Sequence, residues 1–399
     1  MKIVFEDCLI DTDARELSRD GAAVAVEPKV FHVLCHLIEN RERAVSKDEL
    51  LAQVWDGRIV SDSALSSAIK AARAAIGDSG TRQGLIKTVH GHGFRFVGHA
   101  VAMGDAQPAN DTPTPAPQIQ QDIRYCQSDD GTKIAYALSG DGPVVVKSAN
   151  WMSHLQYELE SPIWRPWVEA LSQRFRLLRY DERGNGLSER APGDLSFEAR
   201  VTDLERVIEH AGITEPAVLF GISAGCSFCV EYAVRHPDRV KALILYGGFP
   251  QGWRPRKNER EHSLAHALRD LMESGWGRDN PVFRQMFTML FMPKATEEQK
   301  DWFNELQRKT VKPAIAAKLW DAAGDIDVLG KLGQVQAPTL VVHASEDGLV
   351  PVRLGQELAG GIPNARYVQV ASENHVLLGH ETAFAQFFEE VDRFVASLG

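Results

Sequence analysis

Cysteine is scarce. Cys8, Cys35, Cys126, Cys226 and Cys229 are the five in 399 residues, and an odd, scattered set excludes a complete disulfide framework. Long apolar runs are missing too. The most hydrophobic stretch, 217–230, is interrupted by Gly221, Ser223, Gly225 and Ser227 and is shorter than the roughly 20 residues a membrane-crossing helix needs. It reads as a buried strand entering a buried helix. Met1 to Asp7 lacks the charged head, apolar stretch and cleavage site of a signal peptide, so a cytoplasmic protein with no membrane partner is expected. Positive charge is in deficit, 44 Lys+Arg against 54 Asp+Glu. That balance excludes a global attraction to nucleic acid or to anionic lipid and confines any DNA binding to a local surface. What is present is ordinary: 44% hydrophobic and 25% charged residues, the proportions of a globular chain, at a length that suits two domains.

The boundary is visible in composition. Pro108, Pro113, Pro115 and Pro117 stand among Ala, Thr, Gln, Asn and Asp, a mixture that stays extended and solvated. The expected division is a first domain at 1–100, a Pro-rich linker at 101–122 and a second domain at 123–399. In the first, the run Val24-Ala25-Val26 precedes Pro28, which suits the first turn of a helix. Val30, Phe31, Leu34, Leu37 and Ile38 then recur at helical spacing. Ser46-Lys47-Asp48-Glu49 has the form of a capping box ahead of Leu50, Leu51, Val54 and Trp55. A third helix is predicted from 62 to 76, ending at Gly77, and a hairpin over 85–97 around Gly91 and Gly93. The order is α+β. The second domain alternates short apolar runs (144–146, 217–220, 242–245, 339–342) with helical patterns, the grammar of a mostly parallel sheet with helices on both faces.

On the third helix Leu65, Ile69, Ala72 and Ile76 form the apolar stripe. Ser63, Ser66, Ser67, Lys70, Arg73 and Ala74 occupy the other face. A helix with a small, polar, sparsely basic exposed face can enter a major groove. Pro28-Lys29-Val30-Phe31, Val45 to Leu51 with Val54-Trp55, and Ile86-Lys87-Thr88-Val89-His90-Gly91-His92-Gly93-Phe94-Arg95-Phe96 together resemble the winged-helix effector domain of the OmpR/PhoB family over nearly all of residues 1–99. The resemblance implies that the third helix reads the major groove of double-stranded DNA and that the wing touches the minor groove. The expected DNA-facing residues are Ser66, Ser67, Lys70, Arg73, His90, His92 and Arg95. Histidine stands at 90 where the family usually has arginine. Residues 1–100 hold 13 Lys+Arg against 14 Asp+Glu, so a homodimer is expected to supply the affinity one copy lacks. His90 and His92 have no third ligand at metal-site spacing, and no metal is expected.

Gly221-Ile222-Ser223-Ala224-Gly225 follows an apolar strand and precedes an apolar helix. A serine on such a turn is presented above a sheet, with the Ala224 amide at a helix start ready to hold an oxyanion. Its base and acid are expected later in the chain. Asp347 lies in the loop after the strand 339–343, and His375 lies in the loop Ser372-Glu373-Asn374-His375. Glu346 is a rival acid. His380 is a rival base, expected inside the following helix. With Tyr180-Asp181-Glu182-Arg183-Gly184-Asn185-Gly186-Leu187-Ser188, these motifs resemble the α/β-hydrolase superfamily across 123–399. The resemblance implies a Ser223–Asp347–His375 triad and an oxyanion hole from the amides of Ala224 and Asn150, with Ser148-Ala149 replacing the family's His-Gly. Between about 250 and 320 Trp, Phe and Met crowd a helical segment that suits a lid over an apolar pocket. Cys226 and Cys229 read as core residues.

The expected whole is a one-component transcriptional regulator that binds DNA through its winged helix. Its hydrolase domain binds, and with an intact triad hydrolyses, a small acyl, ester or lactone-type ligand without a cofactor. Two alternatives remain: a serine hydrolase whose first domain is a docking module, and a ligand receptor with an inactive triad.

Overall fold

A computed structural model describes all residues except 1, 7, 20–21, 42, 56–61, 81–82, 90–91, 99, 104–118, 279 and 399. The chain divides into two compact units, Met1–Pro115 and Ala116–Gly399.

The first unit opens with four short strands, β1 (Lys2–Phe5), β2 (Cys8–Asp11), β3 (Glu16–Arg19) and β4 (Ala22–Val24). Helices α1 (Pro28–Glu39), α2 (Lys47–Trp55) and α3 (Asp62–Ala75) follow, then the hairpin β5 (Ile86–Val89) and β6 (Gly93–Phe96), and finally β7 (Val101–Met103). The sheet order is β4-β3-β2-β1-β7. The expected linker is therefore shorter at its start, because Val101–Met103 pairs antiparallel with β1. The apolar faces of all three helices share one core with the strands, including Leu34, Leu50, Leu65, Ile69 and Phe96. The capping box is half formed. Ser46 Oγ accepts from the Glu49 amide at 3.1 Å, but the Glu49 carboxylate is held by Arg43 at 2.6 and 2.7 Å and by His36 at 3.1 Å. Gly93 lies at φ 125°, and a Cβ there would stand 2.0 Å from the Val45 carbonyl oxygen. Only glycine allows the two backbone bonds between Phe94 and Val45, at 2.8 and 2.9 Å.

One expected DNA contact is corrected here. Arg73 is buried. It donates to the Ile86 carbonyl at 2.7 and 3.0 Å and to Thr88 Oγ1 at 3.0 Å, fastening α3 to the hairpin. Two carbonyl-directed bonds and a low-dielectric setting hold the guanidinium inside, where it cannot reach a phosphate. Asp78, also buried, fastens the turn between them by accepting from the amides of Ser79, Gly84, Leu85 and Ile86 at 2.8–3.0 Å.

The second unit begins with β8 (Gln121–Gln127), β9 (Lys133–Ser139) and β10 (Val144–Lys147), so β8 starts two residues before the expected domain edge. It continues with α4 (Trp164–Ser172), β11 (Arg176–Tyr180), α5 (Phe197–His210), β12 (Ala217–Ile222), α6 (Gly225–Arg235) and β13 (Val240–Tyr246). Four helices follow where the α/β rhythm breaks: α7 (Glu259–Gly275), α8 (Val282–Phe291), α9 (Glu297–Thr310) and α10 (Pro313–Gly324). The chain ends with β14 (Thr339–Ala344), α11 (Val352–Gly361), β15 (Arg366–Val370) and α12 (Thr382–Ala396).

The sheet order is β15-β14-β13-β12-β10-β11-β9-β8, parallel from β15 to β11, with β9 and β8 antiparallel at one edge. Alternate residues of the central strands serve opposite faces. Val146, Leu219 and Val341 pack with α5, α6 and α11. Val145, Val218 and Leu340 pack with α4 and α12. Both faces are covered, so the strands read as continuous apolar runs. No helix among the described residues is long and apolar enough to cross a membrane.

Two stability predictions follow from the first unit. Arg73→Ala is expected to destabilise it by about 1.5–3 kcal/mol, the scale of lost charge-assisted hydrogen bonds, read as a lower urea midpoint at unchanged slope. For Asp78, burial raises the carboxyl, but the four amides outweigh it and hold it below its ordinary value. Its contribution is therefore full above the unfolded carboxyl's pKa and is lost as pH falls through the folded value. Asp78→Asn is expected to flatten the acid limb of a stability-versus-pH curve for this unit.

Candidate functional site

Ser223 follows β12 and precedes α6 with φ 55°, a left-handed conformation uncommon for a residue with a Cβ. The surrounding backbone holds it there. Its amide donates to the Tyr246 carbonyl at 2.9 Å and its own carbonyl accepts from the Cys226 amide at 3.1 Å. A Cβ at Gly221 would lie 2.6 Å from Cys226 Cα, and one at Gly225 would lie 2.7 Å from the Ala149 carbonyl oxygen. The small residues at i±2 are thus required by contact.

Asp347 follows β14 and is buried, whereas its rival Glu346 is exposed. One Asp347 oxygen accepts from the amides of Leu349 and Val350 at 2.9 Å. The other lies 2.6 Å from His375 Nδ1. Burial raises the Asp347 carboxyl, but His375, the Val350 amide and His343 outweigh it, so it is held below its ordinary value. His375 is buried. Its amide donates to the Phe291 carbonyl at 2.8 Å, and the Phe291 ring meets its imidazole edge-on at 5.5 Å. The rival His380 is exposed, in a turn ahead of α12 rather than inside that helix; Glu381 and the Leu378 backbone, not His380, shape this loop end.

The structure joins acid to base. It brings the serine into the same neighbourhood: Ser223 is bonded through its amide to Tyr246, and the next residue, Gly247, would carry a Cβ 3.1 Å from His375 Cε1. His375 Nε2 itself is buried and has no hydrogen-bond partner among the described residues. The amides of Ala224 and Asn150 likewise have no backbone acceptor among those residues. The Asn150 side chain accepts from buried Lys147.

A pocket opens on Ser223 and Ala224, walled by Trp151, Trp253, Phe291 and Trp320. Trp276 and Phe287 instead pack within the helical segment, and Met286 and Met289 are exposed. The pocket also holds Glu182, Arg200 and Arg256, which sequence reasoning missed. Arg200 left a signal. It occupies an apolar-stripe position of α5, between Phe197 and Leu204, where a charge has to be buried. Arg256, in an irregular segment, left none. No group of residues suited to a metal ion occurs among the described residues.

Of the expected DNA-facing residues, Ser66, Ser67 and Lys70 are exposed on α3, and His92 and Arg95 are exposed at the hairpin. Arg95 donates to the Arg41 carbonyl at 3.1 Å. His90 lies outside the described residues.

Comparison with known proteins agrees with both halves. Residues 21–96 match the model of the C-terminal domain of transcriptional regulatory proteins, and residues 156–381 match the alpha/beta hydrolase fold. A putative carbamate hydrolase RutD of Caulobacter segnis is 30% identical over 217 residues, spanning 53% of this chain and 79% of that protein. The esterase RhEst1 from Rhodococcus sp. ECU1013 is 24% identical with a TM-score of 0.59, covering 69% of this chain and 99% of its own. The enol-lactonase from Burkholderia xenovorans LB400 is 26% identical with a TM-score of 0.51, covering 68% and 100%. The chain belongs to the alpha/beta hydrolase family and carries an OmpR/PhoB-type winged-helix domain ahead of the hydrolase domain.

Proposed function

We propose that the chain is a one-component transcriptional regulator that binds an operator as a homodimer in the cytoplasm, and whose hydrolase domain binds and cleaves a small acyl ligand. The observation that carries the chemical half is the buried Asp347–His375 pair in the neighbourhood of a left-handed Ser223 that lines a largely aromatic and aliphatic pocket. Ser223 Oγ attacks the ligand carbonyl as its proton passes to His375 Nε2. Asp347 fixes the imidazole through Nδ1 and stabilises its charged form. The amides of Ala224 and Asn150 hold the oxyanion. His375 then returns the proton to the departing alcohol or amine, and water releases the acyl group by the same steps. The relatives are named for carbamate, ester and enol-lactone substrates, which supports an ester, lactone or related acyl bond here.

The DNA half rests on the match over 21–96 and on the exposed face of α3. In this reading Ser66, Ser67 and Lys70 meet the major groove and the hairpin residues meet the flanking backbone or minor groove. A second reading, a receptor with an inactive triad, is favoured by one observation: His375 Nε2 has no hydrogen-bond partner among the described residues, Ser223 included.

Turnover of short p-nitrophenyl esters separates the two readings. Ser223→Ala is expected to lower kcat/KM by about 10³-fold or more; equal rates for the two proteins would remove Ser223 as nucleophile. For the DNA half, Lys70→Ala is expected to weaken binding to the protein's own promoter and to reduce the salt slope of log K by about 1. Mobility shifts across a salt series measure it, and absence of any sequence-preferring shift would end the regulator reading.

A further inference from the structure

The ligand pocket carries a polar pattern that the triad does not use. Four nitrogen atoms of its lining side chains are buried without a hydrogen-bond partner: Trp151 Nε1, Trp253 Nε1, Arg200 Nη2 and Arg256 Nη1. All four are donors. No lining residue leaves a buried side-chain acceptor unpaired. A buried N–H without a partner is costly, more so on a charged group, and four of them on the residues that line one pocket call for a ligand that supplies acceptors.

Both arginines keep a donor in reserve. Arg200 is 3% exposed and reaches Glu182 through Nη1 at 3.3 Å, leaving Nη2 over. Arg256 uses Nε on the Gly252 carbonyl at 3.1 Å and lies 3.3 Å from Glu261. Glu261 is also bonded to Arg353, so one carboxylate faces two guanidiniums. Glu357 also acts on Arg256, so what is left over is an N–H on each pocket arginine. A planar guanidinium with a free N–H edge is suited to carboxylate. The remaining walls are aromatic and aliphatic.

We infer that the ligand is an acyl compound carrying a second, anionic group, a carboxylate remote from the scissile carbonyl, held by Arg256 and Arg200 while its apolar body lies against Trp151 and Trp253. This rests on the proposed role of the pocket as the acyl site and adds the charge class of its occupant.

A matched pair of substrates tests it on the full chain: p-nitrophenyl hydrogen glutarate, which ends in a carboxylate, and p-nitrophenyl valerate, which ends in a methyl group. The expected ratio of kcat/KM, anionic over neutral, is about 10 or more. Arg256→Gln is expected to lower that ratio at least tenfold and Arg256→Lys to restore part of it. A wild-type ratio near or below 1, or a ratio untouched by Arg256→Gln, would overturn the inference. If neither ester shows Ser223-dependent turnover, the catalytic reading fails on its own. The inference is then decided by calorimetric titration of the Ser223→Ala protein with phenyl hydrogen glutarate and phenyl valerate: tighter binding of the acid sustains it, and equal or weaker binding overturns it.

Discussion

The turn at Ser223 is the constraint around which the second unit is arranged. A left-handed serine costs on the order of 1–3 kcal/mol, and it persists because strand, turn and helix are each fixed by neighbours. The Tyr246 carbonyl takes its amide, Cys226 closes the turn, and the segment carrying Ala149 comes against Gly225 so closely that no Cβ fits. That approach also determines where Asn150 stands, because it follows Ala149 directly. One backbone arrangement therefore holds the Ser223 turn and fixes the segment that carries Asn150. The departure from His-Gly to Ser148-Ala149 does not disturb this, since Ser148 Oγ donates to the Gly225 carbonyl at 2.9 Å and its amide to Phe220 at 2.9 Å.

The pairing of Asp347 with His375 was legible because their positions follow from topology. Parallel strands deliver their C-terminal loops to one edge of the sheet, so Asp347 after β14 and His375 after β15 come together although 28 residues separate them. The elbow was legible for a steric reason that a short motif can encode. The pocket's polar lining was not. Arg200 could be suspected only as a charge on an apolar helix stripe, and Arg256 sits where no periodicity operates. The aromatic crowding of the lid segment announced an apolar pocket but could not separate Trp253 and Trp320, which line it, from Trp276, which packs beneath. In the first unit, helical spacing located α3, yet the same spacing put Arg73 on the outward face. Helix periodicity gives an angle, whereas a long side chain follows its bonding partners, and the Ile86 carbonyl lies within its reach.

The inward arginine changes the physics of DNA recognition by this chain. With Arg73 tied to the hairpin, Lys70 is the exposed cation left to the described part of α3, on a unit whose first 100 residues carry 13 Lys+Arg against 14 Asp+Glu. Phosphate neutralisation supplies most non-specific affinity and scales with the number of cations engaged, so a single copy holds DNA weakly under the proposed reading. Joining two copies multiplies the effective concentration of the second reading head by orders of magnitude without any new contact. Under the proposed homodimer, operator occupancy depends steeply on whether two copies are paired, because one copy brings too few cations to the phosphates.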